Sequence, residues 1–113
     1  DKKTFLDSEL QDSLMFVKGL MHLYGDSSDG SLEQAETYFA ESVSRPEFMD
    51  LSDFFKRCYY LALTQMKLTK ETAAKHTVNE ALKLLEERLA RIEKAYIRKN
   101  IRNKKYIRLL SEL

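Results

Sequence analysis

The stretch LYGDSSDGSLEQAE, residues 23–36, has the spacing of oxygen-bearing side chains that comes closest to a metal site. A calcium loop of the EF-hand type needs oxygen ligands at loop positions 1, 3, 5 and 12 and a glycine at position 6. With Gly30 at position 6, Asp29 and Glu36 fall at positions 5 and 12, but position 1 is Gly25, which has no side-chain ligand. Two carboxylates predict only weak calcium binding, and the alternative is a solvated loop that leads into a helix. We therefore predict no metal and no other cofactor.

Catalysis by a nucleophile or a bound metal would depend on the histidine and cysteine side chains. His22, His76 and the single cysteine, Cys58, are predicted on three different helices. His22 has neither a second histidine four residues later nor a carboxylate three residues later, so the usual spacing of metal ligands is absent. Cys58 falls on an apolar helix face, where a thiol usually acts as inert packing. Because the sequence also lacks a phosphate loop, an HExxH motif and a serine nucleophile elbow, we predict that the chain is not an enzyme.

The basic segment from residue 88 to residue 108 has the residue types of an anion-binding surface. It contains nine Lys or Arg side chains and one acid, Glu93. On one continuous helix, five of these cations would recur every three or four residues as a positive stripe. They are Arg91, Lys94, Arg98, Arg102 and Lys105. Such a stripe could bind nucleic-acid phosphates without selecting a sequence, and the alternative is a solvated face paired with acidic residues.

The net charge of +1 conceals a division between the two halves of the chain. Residues 1–55 carry 12 acidic and 4 basic side chains, a balance of −8, and residues 56–113 carry 15 basic and 6 acidic ones, a balance of +9. This division predicts either an anionic partner or a homo-oligomer in which the acidic half of one copy meets the basic half of another.

The aromatic run FFKRCYY contains more large rings than one buried helix face can hold. Neighbouring residues on a helix point about 100° apart, so Phe54 and Phe55 cannot occupy the same face, and neither can Tyr59 and Tyr60. Either this helix packs on two sides, or aromatic rings are exposed for a partner. The predicted partner-binding residues are Phe55, Tyr59 and Tyr60.

The elements that would position these side chains are all helices. Apolar residues recur every three or four positions in each part of the chain, and three Gly and one Pro are too few for a multi-stranded β fold. We predict an all-α fold of antiparallel helix hairpins, either tetratricopeptide-like or a helical bundle with a long C-terminal helix. One domain would cover residues 1–113, and a first residue that is not methionine suggests a piece of a longer chain. The predicted helices cover residues 4–24, 32–44, 51–68, 71–97 and 104–112.

Two details of the apolar pattern can be compared with the structure. In the first helix, an apolar stripe of helical period contains Leu6, Leu10, Leu14, Val17, Met21 and Tyr24, and such a stripe normally faces the core. In the long fourth helix, Lys99 and Asn103 fall where apolar residues should be, which predicts a break near residues 100–103.

Small residues at matched positions indicate a repeated hairpin. Three matched pairs, each 39 residues apart, are Ala35 and Ala74, Phe39 and Val78, and Ser42 and Ala81. In the preceding helices Gly19 corresponds to Ala62, 43 residues later, if GDSSDG is an insertion. This pattern over residues 14–85 resembles a tetratricopeptide helix–turn–helix unit. The resemblance implies a scaffold whose concave groove, lined by the first helix of each unit, binds a peptide or a partner helix.

We therefore predict a non-enzymatic protein-interaction or scaffold module that binds a peptide or partner helix in a helical groove. The alternatives are a nucleic-acid-associated protein that uses residues 88–108 and the sensing domain of a peptide-responsive regulator. A lone cysteine cannot form an intramolecular disulfide, which predicts a reducing compartment such as the cytoplasm. No apolar run approaches the roughly 20 residues that cross a bilayer, so we predict no membrane partner.

Overall fold

Helices account for nearly all of the described chain. The computed structural model describes residues 2–25, 31–92, 94–102 and 104–113, and in these ranges every side chain except those of residues 2–8, Phe48, Ala95, Tyr96, Arg98 and Arg102. The described residues form six α-helices and one 3₁₀ turn, without a strand, which confirms the all-α class. The elements are α1 (Lys2–Tyr24), α2 (Ser31–Ser42), a 3₁₀ turn (Pro46–Phe48), α3 (Leu51–Lys67), α4 (Glu71–Leu89), α5 (Ala95–Arg102) and α6 (Lys105–Glu112).

The helix ends follow from local backbone chemistry. At the end of α1, the Gly25 N–H donates to the Met21 carbonyl at 2.8 Å. At the end of α3, Thr69 adopts a left-handed backbone with φ of 60°, and the Lys70 N–H reaches back to the Gln65 carbonyl at 2.8 Å. This reversal satisfies carbonyl groups that the end of a helix leaves unpaired. It also allows α4 to start within four residues of the end of α3.

Helix α3 lies in the centre of the packing, between two apolar clusters. On one side α1, α2 and α3 bury Phe16, Ala35, Phe39 and Leu61. On the other side α3, α4 and α6 bury a larger set. It contains Phe54, Phe55, Cys58, Ala81, Leu85, Leu89, Ile107 and Leu110. Because α3 is packed on both sides, the adjacent rings of Phe54 and Phe55 are both buried, as the first of the two sequence alternatives predicted.

The small residues from which the repeat was inferred all lie inside the fold. Gly19, Ala35, Ser42, Ala62, Ala74 and Ala81 are buried. One of these contacts joins α1 to α2, where Gly19 lies against the ring of Phe39. Burial of small side chains allows the helix backbones to approach closely. The tetratricopeptide resemblance itself stays a prediction.

The prediction of one continuous helix over residues 71–97 is wrong near its end, because α4 ends at Leu89 and a separate helix, α5, begins at Ala95. A turn follows Leu89, in which the Ile92 N–H donates to the Leu89 carbonyl at 2.9 Å. The reversal lets α6 fold back on α3 and α4, where Ile107 and Leu110 are 6% and 0% exposed. A straight helix would carry these apolar side chains away from the core, so tertiary burial overrides helix propensity here. The break predicted near residues 100–103 falls close to the junction of the last two helices, since α5 ends at Arg102 and α6 begins at Lys105.

The apolar stripe predicted on α1 faces outward from Leu10 to Tyr24, and the Leu6 side chain lies outside those described. Leu10, Leu14, Val17, Met21 and Tyr24 are between 47% and 68% exposed. The inward face carries Asp12, Met15, Phe16 and Gly19 instead. Helix α1 is therefore apolar on two faces, of which the fold covers one.

Candidate functional site

The predicted partner-binding residues lie along the side of α3 that faces α6. The Tyr59 ring lies 5.8 Å from the ring of Tyr106 on α6, and the Tyr60 ring lies 6.1 Å from it, measured between centroids. Phe55, one turn before Tyr59, lines a cavity of about 310 Å³ that Tyr106 also lines. Tyr106 therefore joins the cavity to the tyrosines. We call this feature the α3–α6 groove and define it by Phe55, Tyr59, Tyr60, Lys104, Lys105 and Tyr106.

Tyr60 is the centre of an aromatic cluster at one end of the α3–α6 groove. Its ring contacts the rings of five other residues at centroid distances of 5.5 to 6.4 Å. They are Phe16 and Tyr24 of α1, Phe39 of α2, Tyr59 of α3 and Tyr106 of α6. Four tyrosines from three different helices thus meet there, and Tyr24 remains 67% exposed. Aromatic side chains with a polar tip are enriched where proteins bind other proteins.

The hydroxyl group of Tyr60 lies in an environment that favours its neutral form. Burial raises the pKa of Tyr60 above its ordinary value of 10.0, and hydrogen bonds to the hydroxyls of Tyr106 and Tyr24 raise it further. Neutral hydroxyl groups can both donate and accept hydrogen bonds. The cluster therefore offers ring faces together with groups that can pair with a peptide backbone.

The other end of the α3–α6 groove combines an apolar lining with cations. Leu51, Phe55, Ile101 and Ile107 supply the apolar lining of the cavity, and Lys104 and Lys105 lie at its exposed edge. The Lys105 Nζ lies 5.4 Å above the ring of Tyr106, a cation–π arrangement. An apolar group that enters this cavity would place an adjoining carboxylate near two positive charges.

A polar network that the apolar pattern did not reveal fixes α3 against the first hairpin. Arg57 is 6% exposed, and its guanidinium donates to the Ser42 carbonyl and the Ser13 Oγ, both at 3.1 Å. It also lies 5.5 Å above the Phe16 ring. The only sequence signal was a charged residue inside the apolar run FFKRCYY. Since Arg57 lies between Phe55 and Tyr59, this network positions the α3 side of the groove.

The five cations of the predicted positive stripe do not lie on one helix. Arg91 lies in the turn after α4, Lys94 lies between that turn and α5, Arg98 and Arg102 belong to α5, and Lys105 begins α6. The spacing argument required a continuous helix, so the predicted single stripe is wrong. Arg91, Lys94 and Lys105 are exposed, and the side chains of Arg98 and Arg102 lie outside those described.

Cys58 and His76 line the same cavity, of about 360 Å³, between α3 and α4. Burial raises the pKa of the Cys58 thiol from its ordinary value of 9.0 to about 12. A nucleophilic cysteine needs the thiolate, which a nearby cation or base would stabilise. Burial of Cys58 instead favours the protonated thiol, as expected for a residue that serves in packing. The other histidine, His22, does not line this cavity. Its ring stacks on the ring of Tyr38 at a centroid distance of 5.4 Å.

Of the two candidate calcium ligands, Asp29 lies outside the described residues. Glu36 lies in α2, where its carboxylate accepts a hydrogen bond from the Lys70 Nζ at 2.6 Å. This pair ties α2 to the start of α4. Within the described ranges, no three His, Cys, Asp or Glu side chains are grouped to hold a metal ion.

None of the helices in the described part of the chain combines the length and the apolar character needed to cross a bilayer. Comparison with protein-family models, curated proteins and solved structures finds no match to this chain.

Proposed function

We propose that this chain is a protein-interaction module that binds a peptide segment of a partner protein in the α3–α6 groove. The observation that carries the proposal is the continuity of the groove: Phe55, Tyr59 and Tyr60 of α3 meet Tyr106 of α6 beside one cavity. Tyrosine contributes large contact area at low entropic cost and is enriched among the residues that dominate binding energy. The tetratricopeptide-like spacing of small residues agrees with a groove-binding scaffold.

The chemistry of the groove specifies the kind of peptide. A cavity of about 310 Å³ is at the small end of ligand pockets, so it accommodates one or two side chains rather than a folded element. Its apolar lining requires an apolar side chain, and Lys104 and Lys105 at its edge favour an acidic neighbour. We therefore propose a peptide in which a large apolar residue lies next to Asp, Glu or a C-terminal carboxylate.

Selection from a random library of twelve-residue peptides on the immobilised chain tests this proposal without a known partner. We expect enriched sequences with an acidic group within two positions of a large apolar residue. Enrichment of basic sequences, or no enrichment, would contradict the proposal.

Variants at the groove edge then locate the binding site. Lys105→Glu reverses an exposed charge at the cavity and should weaken binding of the selected peptides at least about tenfold, because it replaces attraction by repulsion. Lys75→Glu makes the same charge change at an exposed lysine of α4 that does not line this cavity, and it should leave affinity within about twofold. Equal effects of the two lysine variants would place binding outside the groove.

A second candidate function, nucleic-acid binding by residues 88–108, is favoured by the exposure of its cations. Arg91, Lys94, Lys99, Lys104, Lys105 and Arg108 are exposed. Fluorescence anisotropy with a labelled 20-base-pair duplex tests it: phosphate binding would weaken steeply between 50 and 200 mM salt. The double variant Arg91→Glu/Lys94→Glu should then abolish binding, whereas an unchanged titration would rule out this surface.

A further inference from the structure

Four tyrosines line the part of the α3–α6 groove that lies beyond its cavity, and they extend it toward α1. We call Tyr24, Tyr59, Tyr60 and Tyr106 the tyrosine cluster. Tyr24 is 67% exposed and the other three are half-buried, so each ring presents part of its surface to solvent. Contacting rings within the cluster meet at angles of 47° to 84°. The surface that the cluster presents is therefore stepped rather than flat.

The tyrosine cluster is held in place by buried rings beneath it. The ring of Tyr60 packs on Phe16 at a centroid distance of 5.8 Å and on Phe39 at 6.0 Å. Phe39 is fully buried, and Phe16 is 8% exposed. A preformed surface loses least free energy on binding when its ligand is also ordered before it binds. The cluster therefore favours a peptide that has little conformational freedom of its own.

The fold also restricts the backbone conformation of the peptide. The described part of the chain has no strand edge, so an extended peptide cannot bind there by adding a strand to a sheet. A helical peptide has a diameter of about 10 to 12 Å, whereas the cavity of the groove accommodates one or two side chains. The polyproline II helix is the regular conformation that remains. It has no internal hydrogen bonds and leaves its carbonyl groups free.

The hydroxyl groups of the tyrosine cluster can pair with such a backbone. Hydrogen bonds join the hydroxyl of Tyr60 to those of Tyr24 and Tyr106. Two bonds among three hydroxyl groups use two of their three protons, so one proton remains to donate to a carbonyl group of the ligand. Proline has no N–H, and a proline segment therefore loses no hydrogen-bond donor when the rings cover it. The cluster matches a segment that accepts hydrogen bonds without donating them.

We infer that the partner peptide carries a proline-rich segment, which binds the tyrosine cluster as a polyproline II helix beside the apolar residue that enters the cavity. The inference rests on the proposed function, because both concern the α3–α6 groove. Aromatic-lined grooves bind proline-rich segments because these are ordered before binding. The steps from Tyr106 to Tyr60 and from Tyr60 to Tyr24 are 6.1 and 6.4 Å between ring centroids. At about 3.1 Å per residue, roughly four residues of a polyproline II helix span this distance.

Two labelled probes with blocked ends test the inference in both peptide directions. One has four prolines followed by leucine and aspartate, and the other has aspartate and leucine followed by four prolines. Fluorescence anisotropy compares each probe with a version in which alanine replaces every proline. At least one proline probe should bind at least about tenfold more tightly than its alanine version, because alanine restores the N–H groups and frees the backbone.

Variants of the chain locate the effect on the tyrosine cluster. Tyr24→Ala, at an exposed ring, should reduce the advantage of proline over alanine to less than about threefold, with helical circular dichroism unchanged. Tyr38→Ala, at a half-buried tyrosine of α2 that stacks on His22, is the matched control and should preserve the advantage.

Three results would overturn the inference. Equal binding of proline and alanine probes, with both weakened by Lys105→Glu, would overturn it and leave the proposed function standing. An advantage of proline that Tyr24→Ala preserves would overturn the placement of the segment on the tyrosine cluster. Failure of every probe and every library peptide to bind would overturn the inference together with the proposed function.

Discussion

Gly19 of α1 lies so close to Phe39 of α2 that a Cβ atom at Gly19 would be 2.6 Å from two carbons of the phenyl ring. Phe39 is fully buried, so its ring has little room to move. The contact fixes the distance between the two helices of the first hairpin. It also fixes the ring of Phe39 against Tyr60, the centre of the tyrosine cluster, at a centroid distance of 6.0 Å.

The first prediction is that Gly19→Ala destabilises the fold. Replacement of glycine by alanine in a free helix gains about 1 kcal/mol, but here the added methyl group overlaps a buried ring. Overpacking of this kind costs about 1 to 3 kcal/mol, so the sign should reverse. Urea denaturation followed by circular dichroism measures the free energy of unfolding.

A double variant separates overlap from other effects of the substitution. Phe39→Leu removes the ring atoms that the new methyl group would meet. Gly19→Ala should therefore cost less in the Phe39→Leu background than in the wild type. If the cost is the same in both backgrounds, the close contact between Gly19 and Phe39 is not its cause.

The second prediction concerns the ion pair that joins α1 to the segment after α2. Arg45 donates to both carboxylate oxygens of Asp12, at 2.6 and 3.3 Å, and the Asp12 side chain is 3% exposed whereas that of Arg45 is 35% exposed. Removal of Arg45 leaves a buried carboxylate without this partner, while removal of Asp12 leaves a cation that water can reach. Arg45→Met should therefore lower the urea midpoint more than Asp12→Asn. The reverse order would contradict the structure's assignment of the buried partner.

The third prediction is that the Cys58 thiol is inert in the folded protein. With its pKa raised to about 12 by burial, almost none of it is thiolate at pH 8. Alkylation by iodoacetamide at this pH should be at least about 100-fold slower in the native protein than in urea. Native alkylation at the rate of a free thiol would contradict the packing role and favour chemistry with His76.

The same pKa predicts how stability depends on pH. The folded state binds the thiol proton more tightly than the unfolded state, so this contribution to stability is complete below about pH 9. It is lost as pH rises from about 9 to about 12. Tyr60, whose pKa is also raised, acts in the same direction. The loss of stability over this range should be smaller in Cys58→Ala than in the wild type, and identical slopes would contradict the assignment to Cys58.

The fourth prediction is that α6 is part of the cooperative fold. Leu110 is 0% exposed in the cluster shared by α3, α4 and α6. Leu110→Ala should cost about 2 to 5 kcal/mol, the usual range for removal of a buried leucine side chain. Leu109→Ala, at a half-buried neighbour, should cost less. Small and equal effects of the two variants would show that α6 does not pack on α3. The α3–α6 groove would then lack the side that α6 forms.

Local pattern was sufficient for the fold class and for most helix limits. Helices α2 and α3 were predicted within two residues at each end, and α4 at its start, because their apolar periodicity coincides with burial on the finished fold. The early end of α4 was missed for a tertiary reason. The end of α4 depends on where Ile107 and Leu110 can be buried. The residues near Leu89 alone do not determine this, because Ile107 and Leu110 lie about 20 residues later in the sequence.

The orientation of α1 was missed because the helix is apolar on two faces. Periodicity favoured the stripe from Leu6 to Tyr24, while Phe16 and Gly19 lie on the face that is packed. Gly19 was nevertheless a usable signal, since a glycine inside a helix is costly unless close packing requires it. Of the candidate site, the sequence named Phe55, Tyr59 and Tyr60. Tyr106 and Lys104 lie beside them only because α6 folds back on α3. Arg57 contributes only through the polar network between α3 and the first hairpin.

Intrinsic tyrosine fluorescence tests most directly whether the α3–α6 groove is the peptide-binding site. The chain has six tyrosines and no tryptophan, and Tyr24, Tyr59, Tyr60 and Tyr106 belong to the cluster in the groove. Titration with a selected acidic peptide that lacks tyrosine and tryptophan should change the tyrosine emission and saturate, and the change should be lost in Lys105→Glu but kept in Lys75→Glu. Binding detected by calorimetry without any change in tyrosine emission, or with the same affinity in Lys105→Glu, would contradict the claim.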